Sequence, residues 1–243
     1  PGGSLGGARP KALVSALDGE VMIAKFPSVN DRHDVGAWEF VVATLARGCG
    51  IDIAECSAQR FASPHHTFLT RRFDRTPEGH RVHFASAMTM TGKQDGDSAS
   101  YLDIAEAIQL YCYDTDADLL ALWRRIVFNI LVSNCDDHLR NHGFLLHPGL
   151  GWKLSPAYDL NPDTRRGALH TNINETENEL SLELALSVIK FFRIDPDEAI
   201  QIIQQFASII RQWRNVAAHK DLRLTPSEIN KMASAFKLAD IAI

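Results

Sequence analysis

The chain has 243 residues, of which 45% are hydrophobic and 23% are charged, a balance typical of a globular protein that buries a sizeable core. Its formal net charge of -5 argues against a broad surface for nucleic acid or anionic membranes. The sequence contains no apolar run of roughly 18 residues and no secretory signal. Its four scattered cysteines form no C-x-x-C motif and no zinc-site spacing. We therefore expect a cytoplasmic protein with reduced thiols, which binds neither membranes nor nucleic acid directly.

The first quarter of the chain is predicted to form strands around one helix. Residues 11–26 contain two short apolar runs on either side of Asp18-Gly19, which is a strong hairpin signal. Residues 34–51 then place apolar side chains at helical spacing, and this pattern ends at Gly48 and Gly50. Residues 67–75 have the composition of a further strand.

From about residue 98 the pattern becomes mostly helical. Ser98 is a candidate cap for a helix over residues 99–112, and residues 118–134 predict a long buried helix. A hairpin around Pro148-Gly149 follows, and then an irregular polar stretch. Asp195 and Thr225, each followed by proline and then an acid, mark the starts of two later helices. The sequence thus predicts an α+β protein with a small strand-rich lobe, residues 1–74, and a larger helical lobe, residues 75–243.

The first residues form a glycine-rich loop before the predicted hairpin. Gly2, Gly3, Gly6 and Gly7 would allow backbone N–H groups to approach a bound phosphate closely, and Ser4 adds a hydroxyl. The loop lacks the G-x-x-x-x-G-K-[ST] pattern of a Walker A motif. Taken alone, glycines near a terminus more often reflect flexibility than phosphate binding.

Two charged residues follow the glycine-rich loop at suggestive positions. Lys25 ends the second strand of the predicted hairpin, so it could reach phosphates that lie under the loop. Glu39 lies on the following helix and could hold that lysine in position. An isolated lysine at a strand end is otherwise expected to be exposed and inert.

The stretch "LVSNCDDHLRNHGFLL" concentrates polar side chains between a predicted buried helix and a predicted hairpin. Asp136 and Asn141 lie five residues apart in it, and Asp159 follows the hairpin. A phosphotransferase needs a carboxylate that accepts a hydroxyl proton and oxygen ligands for magnesium, and kinase catalytic loops use this spacing. Singly, each residue could instead cap a helix or fill a turn. The ordered combination of loop, lysine, glutamate and catalytic-loop residues favours phosphotransfer.

These motifs resemble the HipA-like serine/threonine kinases. The resemblance extends through "SLGGARPKALV", "IAKFP", "RRFDR", "NCDDHLRNHGFLL" and "KLSPAYDLNP", in the order of that family and over nearly the whole chain. It implies a two-lobed protein-kinase-like fold, with ATP and Mg²⁺ as cofactors. Cys135 departs from the family pattern, in which a threonine is common at this position. The N-terminal subdomain of the family is not part of this sequence, which we expect to be a fragment, or the ordered part, of a longer chain.

The resemblance also implies roles for individual residues. Lys25 would contact the α- and β-phosphates, Glu39 would align it, and Asp136 would be the catalytic base. Asn141 and Asp159 would be the magnesium ligands. The remaining predicted site residues have nucleotide or regulatory roles: Gly6 and Gly7 in the phosphate loop, Phe73 and Asp74 in the hinge behind the adenine, His138 in the catalytic loop as a structural hydrogen-bonder, and Ser4 as a self-phosphorylation site.

The residues are compatible with three functions. The family resemblance implies a toxin of a toxin–antitoxin pair, which phosphorylates a translation component such as an aminoacyl-tRNA synthetase and is restrained by a small DNA-binding antitoxin of the HipB type. The same residues would also serve a small-molecule kinase, because phosphate can be transferred to any positioned hydroxyl. A catalytically weak interaction module is the third alternative. The presence of Lys25, Asp136, Asn141 and Asp159 together argues against it.

Overall fold

A computed structural model describes residues 9–16, 19–76, 78–165 and 167–241 of the chain. In these residues strands and helices are mixed along the sequence, which confirms the predicted α+β class. The strands are β1 (Lys11–Ser15), β2 (Val21–Lys25), β3 (Cys56–Gln59), β4 (Thr67–Arg71), β5 (Phe84–Ser86), β6 (Gly143–His147) and β7 (Gly151–Leu154). The α-helices are α1 (Val35–Gly48), α2 (Ala87–Met90), α3 (Tyr101–Tyr111), α4 (Thr115–Leu131), α5 (Leu182–Ser187), α6 (Pro196–Ile210), α7 (Trp213–Ala217), α8 (Pro226–Lys231) and α9 (Lys237–Ile241). Short 3₁₀ helices lie at Leu139–Asn141, Ile189–Phe192 and Ala233–Phe236.

The first sheet is antiparallel, with strand order β1-β2-β4-β3. Its first hairpin is confirmed: Lys11 lies opposite Lys25 and Ser15 lies opposite Val21. Gly19 in the connecting turn has a φ of +88°, a conformation that glycine adopts without a steric penalty. Asp18, the other half of the predicted turn signal, lies outside the described residues. This pairing places Lys25 at the end of an inner strand.

Helix α1 packs closely against the first sheet. Asp34 caps it by accepting a hydrogen bond from the Ala37 N–H at 3.1 Å. Gly36 allows the close approach, because a Cβ there would lie 2.3 Å from the carbonyl oxygen of His66, just before β4. The predicted helix is confirmed, and its buried face includes Glu39.

The second sheet has the order β5-β6-β7 and contains the predicted hairpin around Pro148-Gly149, which is confirmed. The short strand β5 was not predicted. It pairs with β6 so that Phe84 lies opposite Leu145. A Cβ at Gly143 would lie 2.2 Å from the Phe84 ring, so the glycine makes room for this aromatic side chain.

Two predicted boundaries were wrong. The strand predicted over residues 67–75 ends at Arg71. The Arg72 N–H still donates to the Val21 carbonyl at 3.1 Å, but a turn follows in which the Arg72 and Asp74 side chains pair. Helix α3 is capped by Ser100 and not by Ser98. Ser100 forms a capping box with Asp103, whereas the carbonyl of Ser98 accepts a hydrogen bond from Lys93. The predicted caps of α6 and α8 at Asp195 and Thr225 are confirmed.

One hydrophobic core joins α1 to the helical part of the chain. The ring of Trp38 on α1 lies 6.1 Å from that of Trp213 and 6.3 Å from that of Phe236, and the last two rings stack at 4.5 Å. The boundary between residues 74 and 75 remains a prediction. None of the helices within the described residues has the length and apolarity needed to cross a membrane.

Candidate active site

Lys25 is the meeting point of three separate parts of the fold. Its Nζ lies 2.5 Å from Glu39 Oε1 on α1 and 2.8 Å from Asp159 Oδ1, which follows β7. The Lys25 side chain is 13% exposed and that of Glu39 is 4% exposed, whereas 43% of the Asp159 side chain is exposed. The structure therefore joins three residues that are separated by up to 134 positions in the sequence.

Lys25 and Asp159 each stabilise the charged form of the other. Burial disfavours the Lys25 ammonium, but the attraction of Glu39 and Asp159 outweighs it, and the pKa of Lys25 is raised. Burial likewise disfavours the Asp159 carboxylate, but the adjacent Lys25 outweighs it and lowers the pKa of that carboxyl. Burial is the stronger effect at Glu39 and raises its pKa. Asp159 is thus the carboxylate that stays ionised most readily and faces solvent.

The backbone at Asp159 is held in an uncommon conformation. Asp159 has a φ of +60°, in the left-handed region that residues other than glycine rarely adopt. Its neighbours fix the segment to the loop between α4 and β6: the Tyr158 hydroxyl donates to the carbonyl of Arg140 at 2.7 Å, and the Asn161 N–H donates to Asn134 Oδ1 at 3.1 Å. Such strain is found where the surrounding structure imposes a geometry, often at functional sites.

The predicted catalytic loop, residues 132–142, follows α4 directly and leads into β6 through a 3₁₀ turn. Asp136 is exposed in this loop, whereas Asn141 is buried. The Asn141 amide nitrogen donates to the backbone carbonyl of Asp136 at 3.2 Å. This hydrogen bond engages the NH₂ group of the Asn141 amide and leaves the amide oxygen available to bind a metal. The two predicted residues are therefore joined within one turn.

A buried polar network lies behind the loop, and sequence reasoning missed it. Asp137 is 1% exposed, and its Oδ2 accepts a hydrogen bond from the Tyr101 hydroxyl and lies 2.7 Å from His142 Nε2. Asn129 donates to the Tyr101 hydroxyl at 3.2 Å, and Asn134 donates to Asn129 Oδ1 at 3.1 Å. The signal was present in the sequence as polar residues inside the apolar α4 pattern, but their partners are far away along the chain.

The remaining predicted residues have different surroundings. His138 packs edge-on against the His170 ring at 5.8 Å, and its buried Nδ1 has no partner among the residues described. Phe73 contacts the Tyr158 ring at 5.6 Å, beside Asp159. The Asp74 carboxylate is held by Arg72 and Arg75. Its nucleotide-binding role therefore remains a prediction.

The glycine-rich loop cannot be compared with its prediction, because Ser4, Gly6 and Gly7 lie outside the described residues. The first residues of β1 do reach the site. Burial lowers the pKa of Lys11, while the charge of Asp159 acts in the opposite direction. Lys11 therefore lies within electrostatic range of Asp159 and adds a second cation on the strand that follows the loop.

The donor set fits magnesium bound together with a nucleotide. Magnesium is held in nucleotide sites by one or two carboxylates and by substrate phosphates, with water completing the octahedron. Asp159 supplies an ionised, partly exposed carboxylate and Asn141 supplies an amide oxygen. No group of three or more His, Cys, Asp or Glu side chains suited to holding a metal occurs in the described part of the chain. The site therefore fits a magnesium ion that is held jointly by these two side chains and by the phosphates of a nucleotide.

The sequence model of the HipA-like C-terminal domain matches residues 3–214. The chain belongs to this family. Among curated proteins, this HipA-like chain is 32% identical over 151 residues to "Putative kinase Y4dM" of Sinorhizobium fredii, covering 57% of the chain and 36% of that protein. It is 27% identical over 182 residues to "Putative kinase Y4mE" of the same organism, covering 65% of the chain and 41% of that protein. The HipA-like chain thus spans less than half the length of these relatives.

Solved structures show the same fold. HipA of Shewanella oneidensis, solved with HipB and its operator DNA, matches with a TM-score of 0.77 at 19% identity, over 98% of this chain and 64% of that one. The proinflammatory kinase CtkA of Helicobacter pylori matches with a TM-score of 0.67 at 12% identity, over 96% of this chain and 90% of that one. The predicted two-lobed kinase-like fold is therefore confirmed.

Proposed function

We propose that this HipA-like chain is the catalytic part of an ATP- and Mg²⁺-dependent serine/threonine protein kinase. The observation that carries the proposal is the convergence at Lys25: a lysine of the first sheet, a glutamate of α1 and an aspartate beyond β7 meet within 2.8 Å of one nitrogen. A salt bridge on the surface would need no functional explanation. Lys25 is nearly buried between two acids, and removing these charges from water has a large free-energy cost. Binding of nucleotide phosphates gives a functional reason for this arrangement.

Each residue has a role in this proposal. Lys25, held by Glu39, would bind the α- and β-phosphates, and Asn141 and Asp159 would hold the metal. The metal, when bound, would neutralise the charge that develops on the phosphates during transfer. Asp136 would accept the proton from the acceptor hydroxyl as its oxygen bonds to the γ-phosphorus and the bond from that phosphorus to the ADP oxygen breaks. The exposure of Asp136 leaves room for such an acceptor.

The proposed acceptor is a protein hydroxyl in the cytoplasm. The family resemblance supports a translation component such as an aminoacyl-tRNA synthetase as the substrate, and a small DNA-binding antitoxin as the partner. The solved complex of Shewanella HipA with HipB and operator DNA supports a HipB-type antitoxin. Ser4, within the glycine-rich loop, is the proposed self-phosphorylation site, since a phosphoserine there would repel the phosphates of ATP.

The test is a transfer assay with the full-length protein, γ-labelled ATP, Mg²⁺ and a lysate of the host cell. We expect labelled protein bands, identified by mass spectrometry, and a labelled peptide that contains Ser4. Asp136→Asn should reduce labelling by about 10²–10⁴-fold, the usual contribution of a general base. Asp116→Asn is the matched control, because Asp116 is 78% exposed and its carboxylate pairs with Arg193 away from the site.

The metal assignment has its own measurement. The increase in melting temperature caused by ATP should grow when Mg²⁺ is added to the wild type, and this gain should shrink in Asp159→Asn. Equal gains in both proteins would contradict the assignment of Asp159. Labelling of small molecules alone would favour a small-molecule kinase, and undiminished labelling by Asp136→Asn would contradict the proposed base.

A further inference from the structure

A cavity of about 360 Å³ lies between the loop after α1, the first half of α4 and the end of β7. It is lined by Gly50–Asp52, by residues of α4 from Ala117 to Arg125, and by Lys153–Ser155. Of the predicted nucleotide and metal residues that the structure describes, none lines it. The cavity therefore needs an explanation other than the proposed phosphotransfer site.

Arg125 is the most unusual residue of this cavity. It is 4% exposed, and its Nη2 donates to the backbone carbonyl of Ser155. Its Nε and Nη1 are buried and have no hydrogen-bond partner in residues 9–16, 19–76, 78–165 and 167–241. Leaving donors of a buried cation unpaired is unfavourable, and burial lowers the pKa of Arg125 to about 10.

Two further cations line the same cavity. Arg124 Nη2 lies 2.5 Å from the Cys49 carbonyl, and its guanidinium lies 5.2 Å from the Phe206 ring centre. Its buried Nε also has no partner among the described residues. Lys153, whose side chain is 39% exposed, stands nearer to solvent and pairs with Asp114 at 3.2 Å. Two adjacent arginines thus both leave buried N–H donors unused.

The two acids that line the cavity, Asp52 and Asp118, accept no hydrogen bond from the unused arginine donors. Asp118 is engaged in the fold, because its Oδ2 accepts the Leu154 N–H at 3.0 Å, and burial raises the pKa of its carboxyl. Asp52 is exposed to solvent. Lys153 is paired with Asp114, so the buried donors that remain for an anion are those of Arg124 and Arg125. Apolar side chains complete the wall: Ile51, Leu120, Ala121 and Leu154.

We propose that this cavity binds a small oxyanion, of the phosphate or short-chain carboxylate class, through Arg125, Arg124 and Lys153. Guanidinium groups donate charge-assisted hydrogen bonds to both kinds of anion. The volume lies within the range of small-ligand pockets, roughly 300–1,000 Å³. The apolar wall would accommodate the short chain of a carboxylate or exclude water around a phosphate.

The site can be tested by NMR of arginine Nε–H groups in the full-length protein. Inorganic phosphate and acetate are titrated in separate arms, with chloride at equal ionic strength as the reference. We expect the Arg125 and Arg124 Nε–H resonances to shift and to saturate in at least one arm, and comparison of the two arms identifies the preferred class. Lys25→Met is measured in parallel, because phosphate could also bind the proposed nucleotide site. The arginine shifts should persist in this variant.

Two variants address the cavity itself. Arg125→Met should weaken binding at least tenfold, but a buried arginine could be required for folding. Ala121→Phe is therefore a second variant, which narrows the cavity without removing a cation and should also abolish the saturable shift of Arg124. Arg193→Met is the control: Arg193 is 52% exposed, and its loss should leave the Arg124 shift unchanged. Shifts that do not saturate, that are unchanged in Ala121→Phe, or that vanish in Lys25→Met would overturn the proposal.

Discussion

Asp136 and Asp137 are neighbours in the chain with opposite surroundings. Asp136 is exposed, whereas Asp137 is 1% exposed and bonded to Tyr101 and His142. A base that accepts a proton from a bulky acceptor must be reachable, and a carboxylate buried in a polar network is not. The geometry therefore supports the assignment of the base to Asp136 and gives Asp137 a positioning role.

The two aspartates should respond differently to the same substitution. We expect Asp136→Asn to reduce phosphotransfer by about 10²–10⁴-fold while the melting temperature and the affinity for ATP stay near those of the wild type. Asp137→Asn should instead lower the free energy of unfolding by about 1–3 kcal/mol, because one buried acceptor of a charged network is lost. Calorimetry and the transfer assay on both variants separate these effects. An Asp137→Asn protein that is fully stable but inactive would contradict this division of roles.

Asp74 allows a pH-dependent prediction at the scale of one residue. Burial acts against its charge, but the hydrogen bonds and charges of Arg72 and Arg75 outweigh burial and hold the pKa of the carboxyl below its ordinary value of 3.8. A carboxyl whose pKa is lower in the folded state contributes stability above the unfolded-state pKa and loses it as the pH falls through the folded-state pKa. Asp74 should therefore stabilise the fold at neutral pH.

The measurement is the difference in unfolding free energy between wild type and Asp74→Asn as a function of pH. We expect the wild type to be more stable by about 1–2 kcal/mol and the difference to be constant above about pH 5. The difference should shrink as the pH falls below 3.8. Asp95→Asn is the control: Asp95 also pairs with an arginine, but its side chain is 72% exposed, so its effect should be small throughout. A constant difference down to pH 2 would refute the prediction.

At the scale of elements, the position of α1 depends on one close backbone contact. Gly36 lies at the start of α1, and a Cβ there would lie 2.3 Å from the His66 carbonyl oxygen and 3.2 Å from the Phe68 nitrogen. Both atoms belong to the backbone around β4 and cannot move aside as a side chain could. Since α1 also carries Glu39, its distance from the sheet determines whether Glu39 reaches Lys25.

Gly36→Ala should therefore be damaging in two ways. We expect a loss of unfolding free energy of about 1–3 kcal/mol or more from overpacking, and weaker ATP binding because Glu39 moves away from Lys25. Gly167→Ala is the matched control, because nothing lies within 4 Å of a Cβ at that position. Thermal unfolding and nucleotide titration of both variants decide the point. Equal stability of the two variants would show that α1 can shift without cost.

At the scale of the whole molecule, the strand-rich part and the helical part share one core. Trp38 on α1 packs against Trp213 and Phe236, which lie in the helices after residue 210. Because this core crosses the predicted boundary after residue 74, we expect the two lobes to unfold together.

Truncation of Trp213 tests this continuity. Trp213→Ala should lower the unfolding free energy by about 3–5 kcal/mol, since a 3% exposed indole is replaced by a cavity. Far-UV circular dichroism and the fluorescence of the remaining tryptophans should still report one coincident transition. Phe61→Ala, at a 63% exposed ring, should change stability little. Two separate transitions in the wild type would contradict a shared core.

The sequence by itself determined the local features of this protein. The turn at Gly19, the caps at Asp195 and Thr225 and the hairpin around Pro148-Gly149 depend on backbone preferences of a few adjacent residues. The motifs around Lys25 and Asp136 also stand in contiguous stretches, so the family could be predicted from them. Where local signals compete, as at Ser98 and Ser100, the sequence alone led to the wrong cap.

Only the tertiary structure decided which distant residues meet. Lys25 and Asp159 are 134 positions apart, and Tyr101 and Asp137 are 36 apart, so no local pattern indicates that either pair is bonded. The unused donors of Arg125 are likewise not evident from the sequence, because the helical pattern does not show that this arginine is buried. These contacts depend on how sheets and helices pack, because burial in the folded chain fixes which charges lose water and must find partners.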